Sequence, residues 1–167
     1  MKNIVLIGMP VAGKSTIGVI LAKVLGYNFV DSDLLIQEQE HFLLKDIIEK
    51  RGLQGLLSVE EQVNSEINTE NSVIATGGSV IYGASAMEHL REIGVVVYIK
   101  LGYPTIKKRL GDIKQRGVVF REGQTLKSLY EERCLLYEKY AHIIVDGEGL
   151  DMEPLMEKIA NEVEKRI

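Results

Sequence analysis

The chain has 167 residues, 46% hydrophobic and 26% charged, with a formal net charge of −4, enough for a single domain (1–167) that buries its own core without metals or disulfides. The negative balance argues against a nucleic-acid partner, and no apolar run approaches the roughly 20 residues that span a bilayer. Cys134 is the only cysteine, so no intrachain disulfide can form and a reducing cytoplasm is the expected setting.

No basic-then-apolar leader opens the chain, and strand structure is expected from the third residue, which leaves little room for a targeting tail. The apolar run Ile4-Val5-Leu6-Ile7 predicts a first strand over 3–7. Gly8-Met9-Pro10-Val11-Ala12-Gly13-Lys14-Ser15 follows at once and fits the phosphate-loop pattern G-x-x-x-x-G-K-[ST]. A helical pattern, Ile17, Ile20, Leu21 and Val24, then predicts a helix over 14–25. Strand, loop and helix in this order imply a nucleoside triphosphate site. Backbone N–H groups between Gly8 and Thr16 converge on phosphate oxygens, and the helix adds its positive end. Lys14 then reaches the β/γ-phosphates and the Ser15 hydroxyl holds Mg²⁺.

Further strands are predicted over 28–30, 72–75, 95–100 and 142–145, and helices near 33–50, 53–69, 84–92, 104–113, 125–140 and 152–166. Valine and isoleucine dominate the strands, and their alternation with helices points to a parallel sheet covered on both faces. Pro104 suits the first turn of its helix, and Asp151 is a plausible N-cap for the last one. The apolar face of that last helix, Met152, Leu155, Met156, Ile159, Val163 and Ile167, is expected to face the core.

Ligands of open α/β sheets sit beyond the carboxyl ends of the strands. Two such ends carry polar residues. Asp31-Ser32-Asp33 offers two carboxylates that can divide labour, one holding a metal-bound water and the other accepting from a substrate hydroxyl. The same residues also suit a helix N-cap. Thr76-Gly77-Gly78-Ser79 can admit a ligand close to the backbone or form a plain turn. A basic, glycine-bounded loop at about 114–124 has the length of a lid, bracketed by Arg109, Arg116 and Arg133. His41, His89 and His142 lack metal-ligand spacing, and Glu60-Glu61 and Glu131-Glu132 read as solvated helix faces.

Together, G-x-x-x-x-G-K-S-T at 8–16, D-S-D at 31–33, A-T-G-G at 75–78 and the R-x-x-L-Y-x-x-x-A pattern from Arg133 to Ala141 resemble the shikimate kinases over nearly the full length. The resemblance implies a three-layer P-loop kinase fold with a five-stranded parallel sheet in the order 2-3-1-4-5. It also implies Mg-ATP as donor, a small-molecule alcohol as acceptor, a monomer, and a place in aromatic amino acid biosynthesis. By analogy the catalytic residues are Lys14, Asp33 and Arg116. Gly8, Val11, Ala12, Gly13, Lys14, Ser15, Thr16 and Arg109 bind the nucleotide, with Arg109 against adenine. Ser15 and Asp31 serve the metal. Asp33, Gly77, Gly78 and Arg133 bind the acceptor, whose segment runs over about 33–61, and Arg133 anchors its carboxylate.

The sequence departs from that pattern at three places. Leu57 stands where the family's G-E-x-x-F-R-x-x-E segment has the arginine for the shikimate carboxylate, although Glu60 is kept. Ser79 replaces the third glycine of a triplet, and the lid reads Arg116-Gly117-Val118-Val119. Loss of one partner of a buried ion pair commonly costs about 2–5 kcal/mol. Arg51 could swing across to compensate, or Arg133 could suffice alone. Three readings follow: a shikimate kinase with an altered carboxylate clamp, a kinase of another small alcohol such as a polyol or hydroxy acid, or a regulatory module that only binds nucleotide.

Overall fold

A computed structural model describes residues 2–111 and 123–166. The strands β1 (Asn3–Ile7), β2 (Asn28–Asp31), β3 (Ser72–Ala75), β4 (Gly94–Lys100) and β5 (Ile143–Asp146) form one parallel sheet in the order β2-β3-β1-β4-β5. β1 is central and wholly buried, with Ile4 in register with Val73 on one side and Val95 on the other. Successive side chains of a strand alternate between faces, so β1 feeds two cores. Val5 and Ile7 pack with Met87, Leu90 and Tyr137, while Ile4 and Leu6 pack with Ile17, Leu21 and Ile159.

The helices are α1 (Lys14–Leu25), α2 (Ser32–Glu40), α3 (Leu44–Ser65), α4 (Ala84–Ile93), α5 (Tyr103–Gly111), α6 (Leu126–Tyr140) and α7 (Met152–Glu164), with a 3-10 turn at Val80–Tyr82. The three-layer parallel fold and the strand order are those expected. As expected, Leu155, Met156, Ile159 and Val163 of α7 are buried; Met152 is 37% exposed. Asp151 precedes α7, yet its side chain makes no capping bond. Pro104 is the second residue of α5.

The helix expected over 33–50 is two pieces. α2 stops where His41 adopts the left-handed conformation (φ 61°) and its N–H closes on the Gln37 carbonyl. Gln37 also reaches forward, its Oε1 accepting from the Leu44 N–H at 3.3 Å, which ties the start of α3 to α2. Inside α3, Gly52 (φ 70°, ψ −176°) breaks the helical path in the interval expected between two helices. α2 and α3 enclose a separate small core of Ile36, Ile47, Leu56, Val59 and Val63. At the far edge, β5 begins one residue late because the His142 ring takes a ladder position. Its Nδ1 accepts from the Val96 N–H at 2.9 Å.

Candidate active site

The site lies beyond the carboxyl ends of β1, β2 and β3. The loop after β1 turns through Val11 (φ 62°) and Gly13 (φ 89°), the second of which is the N-cap of α1 and offers no side-chain cap. Positive φ is strained for valine and easy for glycine. An uncapped helix start leaves first-turn N–H groups of α1 for an anion. The Ala12 N–H is not among the free donors, because it bonds to the Met9 carbonyl at 3.2 Å. At Gly8 a Cβ would come within 2.8 Å of the Ile99 carbonyl oxygen, so the loop has room there for glycine alone.

Lys14 is buried under this loop, its Nζ donating to the carbonyls of Gly8 (2.7 Å) and Met9 (2.8 Å). An ammonium has three donors, so one remains for a phosphate oxygen. Burial pushes its pKa down to about 8, against the pull of the Asp33 carboxylate. Arg109 joins the loop from α5, Nη1 donating to the Val11 carbonyl at 3.0 Å. That holds it beside the loop after β1.

Asp31 is the N-cap of α2 and also reaches the first residues of α1. Oδ1 caps α2, accepting from the N–H groups of Asp33 (3.0 Å) and Leu34 (3.3 Å), while Oδ2 accepts from the Ser15 hydroxyl at 3.0 Å. Two hard oxygen donors at the foot of a phosphate loop suit Mg²⁺, which keeps most of its shell as water and phosphate. Among the described residues no three His, Cys, Asp or Glu cluster as a metal cage.

Asp33 faces the same cavity as Lys14, a space of about 730 Å³. Its Oδ1 is buried with no hydrogen-bond partner. Burial, then the charge of Asp31, raises its pKa, with Lys14 pulling the other way. The cavity floor is Gly77-Gly78. A Cβ on Gly77 would meet Asp33 Oδ1 at 2.7 Å and Glu60 Oε2 at 3.1 Å; one on Gly78 would meet Pro10 Cδ at 2.7 Å and Arg133 Nη1 at 3.0 Å. Side chains are excluded here, and two acids and one arginine come up against bare backbone. The Tyr137 hydroxyl fixes the strip by donating to the Gly78 carbonyl at 2.6 Å.

Arg133, on α6, is only 2% exposed, and its Nε has no partner. A buried guanidinium with a free donor is costly unless a ligand satisfies it. Glu60 corrects the sequence reading. Far from a solvated face, it is 4% exposed and borders the cavity, its Oε1 accepting from the Ser79 hydroxyl at 2.6 Å. Burial pushes its pKa up to about 7; the Ser79 bond and the charges of Arg133 and Lys14 oppose the rise, and Asp33 adds to it. Ser79, counted as a departure from the glycine triplet, is therefore a partner of Glu60.

Leu57 is half-buried and does not border the cavity, whereas Leu56 and Glu60 of the same helix do. Arg51 does not swing across: its Nη1 pairs with Glu40 Oε1 at 3.0 Å on the outside. Gln37, Leu43, Leu44 and Lys45 border the cavity without having been singled out within the segment 33–61. Arg116 and most of the expected lid at 114–124 lie outside the described residues.

The sequence model of the family described as Shikimate kinase matches residues 10–164. A shikimate kinase from Thermodesulfovibrio yellowstonii is 36% identical over 99% of this chain and 96% of its own length, and one from Sulfurihydrogenibium sp. is 33% identical over 99% and 100%. Among solved structures, the shikimate kinase from Acinetobacter baumannii in complex with shikimate superposes with a TM-score of 0.89 at 32% identity, covering 99% of this chain and 94% of that one. The enzyme from Aquifex aeolicus gives 0.83 at 33% identity over 97% and 96%. Agreement of this extent in sequence and in fold means that the chain belongs to the shikimate kinase family, kinases that use ATP with Mg²⁺.

Proposed function

We propose that this enzyme transfers the γ-phosphoryl group of Mg-ATP to a hydroxyl of shikimate. The observation that carries the reading is the buried, unpartnered Asp33 Oδ1 in one cavity with Lys14. A nucleotide-binding module has no need of such an acceptor on its far wall. The relatives support shikimate as the acceptor. They lend no support to another alcohol or to a regulatory role.

The residues then divide the reaction. Asp33 Oδ1 accepts the hydrogen bond of the acceptor hydroxyl and takes its proton as the new O–P bond forms. The bond between the γ-phosphorus and the β–γ bridging oxygen breaks, and ADP leaves. The raised pKa of Asp33 makes it a stronger base than an exposed aspartate. Lys14, with one donor to spare beyond Gly8 and Met9, sits against the charge that spreads over the phosphoryl oxygens. Ser15 and Asp31 would hold Mg²⁺, which offsets charge on the β- and γ-phosphates. Arg133, whose Nη1 comes up against Gly78 and whose Nε–H has no partner, serves the acceptor's carboxylate. Arg116, outside the described residues, and Arg109 take the phosphoryl-group and adenine roles by the family resemblance alone.

The test is ADP release from Mg-ATP with shikimate titrated into the millimolar range, and phosphorylated shikimate identified by mass spectrometry. Saturable turnover absent from the no-acceptor control is expected. Intact ATP binding with no response to shikimate would reject the acceptor.

A further inference from the structure

An anionic acceptor needs cations, and few are free to serve. Among the described residues the cations that border the cavity are Lys14 and Lys45. Lys14 is held under the phosphate loop by two carbonyls and is committed to the donor side. Arg133 does not border the cavity itself; its Nη1 comes up against Gly78, where a Cβ would meet it at 3.0 Å. Lys45 is the second residue of α3, exposed, and no acidic side chain pairs with it among the described residues. The nearby cations on α3 are engaged elsewhere: Lys50 lies 3.5 Å over the Phe42 ring, and Arg51 pairs with Glu40. The forward reach of Gln37 fixes the start of α3, so the backbone that carries Lys45 is anchored to α2, the helix of Asp33.

We propose that Lys45 binds the carboxylate of the acceptor as the second cation beside Arg133, supplying from the start of α3 the charge that Leu57 lacks. The pairing rests on the reading of shikimate as acceptor. An ammonium is a point charge without the planar fork of a guanidinium, and an exposed one feels added salt. Recognition built this way discriminates charge more than orientation, and it weakens as ionic strength rises.

The experiment compares wild type, Lys45→Met, Lys45→Arg and the control Lys50→Met in steady-state turnover, with shikimate and with its methyl ester, whose carboxylate is neutralised. Lys45→Met is expected to raise KM for shikimate about tenfold, with kcat and KM for ATP unchanged within about twofold. Lys45→Arg should restore KM, Lys50→Met should match wild type, and KM for the ester should be the same in wild type and Lys45→Met. An unchanged KM in Lys45→Met overturns the pairing, and so does an equal effect on the ester, which would trace the loss to packing. Wild type that turns over no shikimate would instead remove the substrate reading and this pairing together, an outcome distinct from turnover indifferent to Lys45.

Discussion

The two sides of the cavity are held together over different distances along the chain. On the nucleotide side, Lys14 bonds to carbonyls five and six residues back and Ala12 closes on Met9, so eight consecutive residues carry most of the geometry. On the acceptor side, Asp33, Glu60 and Arg133 come from three helices and Ser79 from the loop after β3, and the bond from Ser79 to Glu60 spans 19 residues. The first kind of site tolerates little change, because each residue's backbone fixes its neighbours. The second can exchange one contact for another, as Ser79 and Lys45 illustrate. Chemistry should therefore fail sharply on the nucleotide side, whereas changes on the acceptor side should move KM or the pH response.

Lys14→Ala tests the sharp side and should have the largest effect. It removes the cation buried beneath the loop, so turnover should fall by about a thousandfold or more while circular dichroism stays that of the folded chain. Near-normal turnover in this variant would break the comparison at its base. Asp33→Asn comes next. It keeps the shape and removes the proton acceptor, so kcat should drop about a hundred- to a thousandfold with KM for ATP little changed. Loss of ATP binding alone would move Asp33 to the nucleotide side.

The same contrast explains what the sequence made legible. The loop, the succession of strands and helices and the N-cap at Asp31 follow from contiguous residues and hydrophobic patterning, whereas the strand order comes from the family resemblance. The end of α2 had no glycine or proline to announce it; His41 takes the left-handed cap, and tertiary packing against α3 selects that ending. Glu60 looked solvated beside Glu61 because nothing local shows that Ser79 and Gly77 close over it. Lys45 sits in a charged stretch that reads as surface, and only the fold of α2 against α3 brings it to the cavity wall.

Glu60 gives a smaller effect with a definite sign. Its folded pKa, about 7, stands above the ordinary 4.5, with burial the main cause. The native state therefore holds a proton that the unfolded chain releases between those values. The contribution to stability is full below pH 4.5 and is lost as pH rises through 7, by about 3 kcal/mol in all. Glu60→Gln cannot titrate. Urea unfolding at a series of pH values should show the variant gaining on wild type by about that amount between pH 4.5 and 8. A constant difference across this range would mean that Glu60 is ionised throughout, paired by Arg133 and Lys14.

Leu57→Arg should have the smallest effect and sharpens the acceptor side most. Leu57 precedes Glu60 by three residues on α3, a spacing at which helical side chains meet. A guanidinium there would engage the Glu60 carboxyl first and the acceptor second. With Arg133 and Lys45 already in place, KM for shikimate should fall only about two- to fivefold. The same change in a Lys45→Met background should recover more, because the two cations serve one carboxylate and their effects do not add. Pairing should also draw the Glu60 pKa back toward 4.5, removing the loss of stability between pH 4.5 and 7. If neither KM nor that pH dependence moves, position 57 packs away from the carboxyl group, and charge recognition in this enzyme runs through Arg133 and Lys45.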